Sequence, residues 1–568
     1  MAHSHPNQPL RDKQSDTWAG RDGLGRALPD IGQCGPPRPG KTVGVFYFLW
    51  LGYHDLEVYD ITQLLKENPD NPQYGPPGMF HWWGEPHLGR YRSGDPFVIG
   101  THARMLTDAG VDTIILDVTN GFTYDETLLT LCRVYEQMRA QGQATPQIAF
   151  LLNSGSARVA QHLYESFYAK GLHRDLWFEW RGKPLLLASQ EGVDDPQVLD
   201  FFTWRHSWAW TEPEGWFGDG RDKWPWLDHH PQKPGWHTDP VHPEQVSVNV
   251  AQHPISNIGR SFHNGTQPAP AETNTEVGLC FAEQWRGALD VNPEFVLVTG
   301  WNEWVAQRFL KEDNSDPPPG MLGKTLSTGD SYFVDQYNEE YSRDIEPMRG
   351  GFGDAYYYQM VDGIRRFKGV RAVPRPGPAK TIVVNKDFAQ WGDVALTYYG
   401  NAALPIRRDF PGWGGLHFVN DTARNTFDMC KVARDSEFVY FYARTYAPIT
   451  PPSGDAWMTL LLGIQKDAGA HWEGFDFVVG RTRVSEEMCL LERRAGGGAW
   501  QSVAEVRYAV QGHEMHLAVP RAALFPPSGA ARMEFKWMDN IPVPSDPLDW
   551  IDKGDCAPSG RFRYCYQE

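Results

Sequence analysis

No stretch of the chain approaches the roughly 18 consecutive apolar residues of a membrane span, so none reads as a transmembrane segment. A Gly-rich phosphate loop is missing after the first predicted strand, which disfavours a doubly wound dinucleotide-binding sheet. There is no G-x-S-x-G elbow and no catalytic-cysteine context. The seven cysteines are scattered without metal-ligand spacing, and their odd number leaves at least one unpaired. Only Cys556 and Cys565, on either side of a Pro-Ser-Gly turn, are placed for a local disulfide. His229, His230, His237 and His242 lie in a Pro/Trp-rich insertion without the i, i+4 pair of a helical zinc site, so no metal or cofactor is expected. Cations are short as well, with 53 Lys and Arg against 71 Asp and Glu and a net charge of −18. That balance argues against nucleic acid or an anionic membrane as the main partner. The first residues lack the apolar core of a signal peptide, which predicts a cytoplasmic protein, or a periplasmic or secreted one if a leader has been removed.

Aromatic residues are plentiful: 23 Trp, 23 Tyr and 29 Phe in 568 residues. Such a load serves either large cores or the stacking of ligand rings. The length predicts two or three domains. Residues 1–40 are polar and rich in Gly and Pro, an arm and not a domain. From 41 to 372, short apolar runs alternate with helical patterns. Strands are expected at 43–49, 111–118, 147–152, 184–188, 201–204, 246–251 and 295–300, with helices at 96–109, 125–140 and 156–169. This order predicts an α/β fold with a parallel sheet, a (β/α)8 TIM-type barrel, of which seven strands are legible and an eighth is not. A stiff Pro-rich linker follows at 373–380. Residues 381–568 read as an antiparallel β-sandwich. The linker is too short for independent tumbling, so the sandwich is expected to dock extensively on the barrel.

The most informative stretch is Phe295-Val-Leu-Val-Thr-Gly300 followed by Trp301-Asn302-Glu303-Trp304. A strand buried on both faces delivers an amide, a carboxylate and two indoles at its C-terminal end, where β/α barrels build their sites. Indoles stack on sugar faces, amides bridge vicinal hydroxyls, and a carboxylate between them serves as base or nucleophile. The other strands end in matching chemistry. Trp50 and His54 follow the first, Asp117 and Asn120 the second, Asn153 the third, Glu191 the fourth, His206 and Trp208 the fifth, and His253 the sixth. The loop containing Trp83 and Glu85 is suited to roof a cleft. Carboxylates, amides and indoles with few lysines are the materials of a glycoside-processing site.

The segments Val45-Phe-Tyr-Phe-Leu-Trp50, Ile115-Leu-Asp117 and above all Trp301-Asn-Glu-Trp304 resemble the endo-α-mannosidase/endo-α-mannanase family, glycoside hydrolase family 99. The resemblance spans roughly residues 41–370 and implies a (β/α)8 barrel acting on glycans without a cofactor. The family motif runs W-N-E-W-x-E-G, with the first Glu as base and the second as acid. Here Glu303 fills the first place, but Ala306 and Gln307 stand where the acid and the glycine belong. From Asn385 onward the chain resembles family 9 carbohydrate-binding modules and DOMON-like domains, with Trp413, Trp457 and Trp472 available to clamp a sugar or to pack the module on the barrel.

The sequence therefore predicts a glycosidase acting on a carbohydrate. Glu303 is base or nucleophile and Asp117 leads as acid, ahead of Glu85 and Glu191. Trp50, His54, Trp83, Asn120, Asn153, His206, Trp208, His253, Trp301, Asn302, Trp304 and Gln307 are expected to hold the sugar. A glycan-binding protein that has lost its acid, and a glycosyl-transferring enzyme, are the alternatives.

Overall fold

The structure, a computed structural model, describes residues 11–53, 57–213, 215–312, 320–401, 407–454, 456–464, 471–526 and 530–568; His54 lies outside them. Seven parallel strands form the first sheet: β1 (Thr42–Tyr47), β2 (Thr113–Val118), β3 (Gln147–Leu152), β4 (Lys183–Leu187), β5 (Thr203–Arg205), β6 (Pro243–Asn249) and β7 (Phe295–Thr299). Their hydrogen-bonded order is β5-β4-β3-β2-β1-β7-β6, so the last strand in the chain lies against the first. Each of the seven predicted strands is present within a few residues of its expected limits. Gly44 permits the tight approach of β1 to β7, because a Cβ there would meet the Phe295 ring at 2.6 Å.

Helices α1 (Pro96–Ala109), α2 (Asp125–Ala140), α3 (Ser156–Leu163) and α4 (Pro196–Phe201) connect β1 to β5, α5 (Leu279–Val291) connects β6 to β7, and α6 (Ala355–Lys368) follows β7. α1 starts where Asp95 caps the Phe97 N–H ahead of Pro96, and it stops at Gly110 in the left-handed region. The helix expected over 156–169 is α-helical only to Leu163 and continues as a wider π turn, Tyr164–Tyr168.

No backbone ladder joins β5 to β6 among the described residues. An irregular insertion fills that gap, with parallel bridges from His206 to Lys223 and from Ala209 to Leu227, and a short antiparallel pairing of Gly235–Trp236 with β6. Pro225 has no N–H to offer a neighbouring strand. Side chains reach its stretch instead: Gln245 Nε2 donates to the Pro225 carbonyl at 2.8 Å, and Thr299 Oγ1 donates to that of Trp226.

Among the described residues, every strand beyond residue 426 lies in one large antiparallel sheet. A sandwich of two separate sheets was expected; here a single sheet folds over on itself. Tyr398 near one end packs on Tyr564 near the other, with ring centroids 5.0 Å apart, and Phe441 packs on Phe535 at 5.8 Å. The N-terminal arm joins this sheet, Ala19–Gly20 pairing antiparallel with Phe562–Gln567. The expected Cys556–Cys565 disulfide is absent and both thiols are free. Cys556 pairs opposite Met538 and Cys565 opposite Glu534 on the same strand. Four residues of strand separate them, roughly 13 Å, far beyond disulfide reach.

One continuous hydrophobic core links the two sheets. Trp413 is fully buried edge-on against Trp82, with ring centroids 5.3 Å apart, and donates to the Glu57 carbonyl at 3.0 Å. Arg408 pairs with Asp95 at 2.7 Å, both side chains buried. Trp18 of the arm packs against Phe562 and Tyr564. Much of the aromatic wealth is therefore core: Trp82, Trp83, Trp224, Trp301, Trp304, Trp413 and Trp537 are among the largest fully buried side chains.

Candidate active site

β7 ends at Thr299, a cis peptide bond leads to Gly300, and Trp301 N–H donates to the Phe46 carbonyl of β1 at 2.9 Å. Beyond that point, three of the four residues in Trp301-Asn302-Glu303-Trp304 turn inward. Asn302 accepts from Phe48 N–H at 2.9 Å and returns a bond to the Phe48 carbonyl at 3.1 Å, tying the end of β1 to β7. Trp304 stacks on Trp83 with centroids 4.2 Å apart and donates to Glu346 Oε2 at 2.5 Å. Trp301 packs edge-on against His102 at 5.4 Å. Trp83 donates to the Glu303 carbonyl at 2.9 Å. Trp83, Trp301, Asn302 and Trp304 are each 0% exposed, so these four build the scaffold and in this conformation offer no face to a sugar. Behind them a buried network anchors the scaffold. Glu346 accepts from Tyr91 at 2.7 Å and meets His102 at 3.0 Å, and His102 meets Tyr47 at 2.9 Å.

Glu303 is the exception. Asp344 Oδ1 accepts from its N–H at 2.7 Å and fixes the backbone. Its Oε2 accepts from Arg343 Nη2 and from Gln336 Nε2, both at 2.7 Å, while Oε1 takes no hydrogen bond among the described residues. Arg343 Nη2 also lies 3.9 Å from Asp335, so two carboxylates share one guanidinium nitrogen. Arg343 is held in turn by the carbonyls of Gln252 at 3.0 Å and Asp335 at 2.8 Å, over the Trp226 ring at 5.6 Å. Burial pushes the Glu303 carboxyl well above the usual carboxylate range; Asp335, Asp344 and Asp117 add to the rise and Arg343 opposes it.

Asp117 projects from β2 and is 3% exposed. Its Oδ1 accepts from the Thr119 N–H at 3.0 Å and the Thr119 hydroxyl at 2.7 Å. Burial nevertheless raises its carboxyl to about 6, against the pull of Thr119, and the Asp335 charge adds to the rise. His253, after β6, accepts from Ser256 N–H at 3.0 Å, and burial with the nearby Arg343 charge lowers it to about 3. The fold thus gathers Asp117, His253 and Glu303, from three separate strand ends, around Arg343.

Other expected residues are placed elsewhere or otherwise used. Glu85 is committed to Arg349 at 3.0 Å and Arg90 at 3.3 Å. Glu191 and His206 line a separate groove of about 550 Å³ beside β4 and β5, where burial and Lys223 push His206 down to about 4. Trp50 is buried against Phe80 with centroids 5.5 Å apart, and Trp208 packs edge-on against Trp226 at 6.3 Å. Asn120 and Asn153 are exposed at the ends of β2 and β3. Gln307 donates to the Gly78 carbonyl at 2.9 Å. Of the three tryptophans considered as clamps, Trp413 fills the junction between the sheets, Trp457 is buried, and Trp472 packs edge-on against Trp550 at 5.5 Å.

Sequence reasoning missed Asp335, Gln336, Arg343 and Asp344, which reach Glu303 from the long excursion between β7 and α6. A signal was present in Arg343-Asp344-Ile345-Glu346, three charged residues around an isoleucine, of a kind rarely buried unless paired; all four are at most 3% exposed.

Ala306 explains why its position cannot supply a carboxyl. It lies in the strand Val305–Leu310, opposite His81, in an apolar cluster with Ile61, Phe333 and Tyr337. Ala306→Glu should lower stability by about 2 kcal/mol, because the new carboxyl is placed in a buried, mainly apolar cluster. Urea denaturation of the variant against the wild type reads this directly.

No protein-family model matches the chain, and comparison with curated proteins yields no match. Among solved structures, the chain is similar to a GH99 endo-alpha-mannosidase from Bacteroides thetaiotaomicron in complex with bis-tris propane, at 14% identity over 57% of this chain and 97% of that one, with a TM-score of 0.33. A second structure of a GH99 endo-alpha-mannosidase from Bacteroides thetaiotaomicron gives 15% identity over 58% and 98%, TM-score 0.33. A protein described as glycoside hydrolase-like gives 11% identity over 58% and 94%, again with a TM-score of 0.33.

Proposed function

We propose that the protein is a glycoside hydrolase cleaving an oligo- or polysaccharide with its own carboxyl groups. In this reading residues 41–372 form a (β/α)8 barrel whose eighth stave is the irregular stretch 223–227. Residues 381–568 form an appended β-sandwich resembling a carbohydrate-binding module. The observation that carries the proposal is the carboxyl cluster at the strand ends, where Glu303 and Asp335 share Arg343 and Asp117 is buried within range of both charges.

Cleavage of a glycosidic bond needs a proton for the leaving oxygen and a base or nucleophile for the other face of the ring. Asp117 supplies the proton, since burial keeps it protonated up to about 6. Glu303 is the base or nucleophile. Burial raises its carboxyl on balance, so it acts only once ionised; the Arg343 charge opposes that rise, Gln336 donates to the same oxygen, and its Oε1 is left for the reacting atom. Asp117→Asn should reduce turnover of natural glycosides by about 10²–10⁴-fold, yet spare aryl glycosides whose leaving group needs no proton. Activity on natural glycosides should fall as pH rises through about 6, because the required form of Asp117 is the acid. A pH profile with its midpoint unmoved in Asp117→Asn would remove Asp117 from this role.

A glycan-binding protein is the second reading, favoured by the apolar surroundings of Ala306, where the resembled family keeps its acid. The two separate on catalysis: saturable glycan binding with no bond cleavage supports the second.

A further inference from the structure

Away from the strand ends, a cleft of about 560 Å³ opens between the N-terminal arm, residues 371–375 and the antiparallel sheet. Its walls run against the charge of the whole chain. Six arginines, at positions 21, 365, 371, 375, 532 and 563, face three carboxylates, on Asp16, Asp30 and Glu534. Those carboxylates are committed. Asp16 and Asp12 hold Arg371, Glu534 pairs with Arg563 at 2.8 Å, and Asp30 caps a short helix through Gly32 N–H at 2.9 Å. Arg375 and Arg532 are exposed and have no acidic partner among the described residues. Arg365 is 4% exposed and spends its terminal nitrogens on the carbonyls of Ser15, Trp18 and Pro29, and it forms no ion pair among the described residues. Its Nε and the Nε of Arg563 are buried donors without a partner among the described residues, and both residues line this one cleft. Buried donors are normally satisfied, so two orphans beside uncompensated cations mark a place built for an acceptor-rich group. Trp18, Leu28 and Ile31 supply an apolar wall beside the charge.

We propose that this cleft binds an oxyanion group, carboxylate or sulfate, carried on a saccharide. The saccharide rests on the glycosidase reading; the oxyanion rests on the arginines alone. The cleft would hold an acidic chain apart from the strand ends, with Arg375 and Arg532 engaging the anion first and Arg365 providing the positive field behind them.

The test is calorimetric titration of the full-length chain and of its Arg375→Gln/Arg532→Gln variant, whose altered side chains are exposed and unpartnered. The titrants are a uronate oligosaccharide, a sulfated oligosaccharide, a neutral oligosaccharide of equal length and inorganic sulfate. The expected result is saturable binding of an acidic oligosaccharide, weakened at least tenfold in the double variant and by added salt. No saturable binding of any anion, or equal binding by the variant, would overturn the site. Inorganic sulfate binding as tightly as the acidic saccharides would overturn the saccharide assignment, and a neutral oligosaccharide binding as tightly as the acidic ones and weakened equally in the double variant would overturn the role of charge. None of these outcomes depends on hydrolysis, which the Glu303 and Asp117 variants test separately.

Discussion

Glu303→Gln is expected to abolish cleavage of natural glycosides, with kcat lowered by about 10²–10⁴-fold or more and little change in melting temperature. The amide keeps the size of the side chain and an acceptor oxygen for Arg343 and Gln336, which now bond Oε2 at 2.7 Å each. It cannot carry the negative charge that removes a proton or attacks the anomeric carbon. The scaffold is unaffected, because Asp344 holds Glu303 through its backbone N–H and Trp83 through its carbonyl. Arg343→Gln should also lose activity, by a different route: without the guanidinium, burial pushes Glu303 further toward its neutral form and Asp335 loses its shared partner. The check is kcat and KM for both variants across pH. Full activity in Glu303→Gln would remove this carboxylate from the chemistry.

The second large effect concerns the joint between the two sheets. A chain ending near Arg371 is expected to be insoluble or largely unfolded. Truncation there strips Trp413 from Trp82, Arg408 from the buried Asp95, and Ser559 from Asp108. It also removes Phe562–Gln567, against which the N-terminal arm forms its short strand and Trp18 packs. A point probe is Arg408→Leu in the full chain. It leaves Asp95 with only the cap of α1 as partner, and breaking a buried pair from one side typically costs about 3–5 kcal/mol. Both sheets should then melt in a single transition, lowered together in Arg408→Leu. If residues 1–371 express well and melt unchanged, the junction is dispensable to the fold.

The part of this architecture that was legible is the part governed by periodicity. Strands buried on both faces, such as Thr113–Val118 and Phe295–Thr299, declare themselves as uninterrupted apolar runs, and α1 is bracketed by Asp95-Pro96 and Gly110. The stretch between β5 and β6 was not legible, because Pro225 and clustered tryptophans follow neither the period of a strand nor that of a helix. Position along the chain put Glu303 and Asp117 at strand ends but said nothing of orientation. Trp301, Asn302 and Trp304 are as suited chemically to a sugar as to a core, and only the turn after Gly300 decides that they face inward. Arg343 and Asp335 could not be assigned from sequence, because they lie more than 30 residues beyond the motif they serve.

The central claim is that the carboxyl cluster around Arg343 cleaves glycosidic bonds, and release of new reducing ends tests it most directly. The measurement is incubation of the full-length protein near pH 5 with a panel of neutral and acidic oligo- and polysaccharides, beside Glu303→Gln and Asp117→Asn. The account predicts that reducing ends accumulate on at least one glycan with the wild type and that both variants lose this activity. Saturable glycan binding with no new reducing ends on any member of the panel would contradict it.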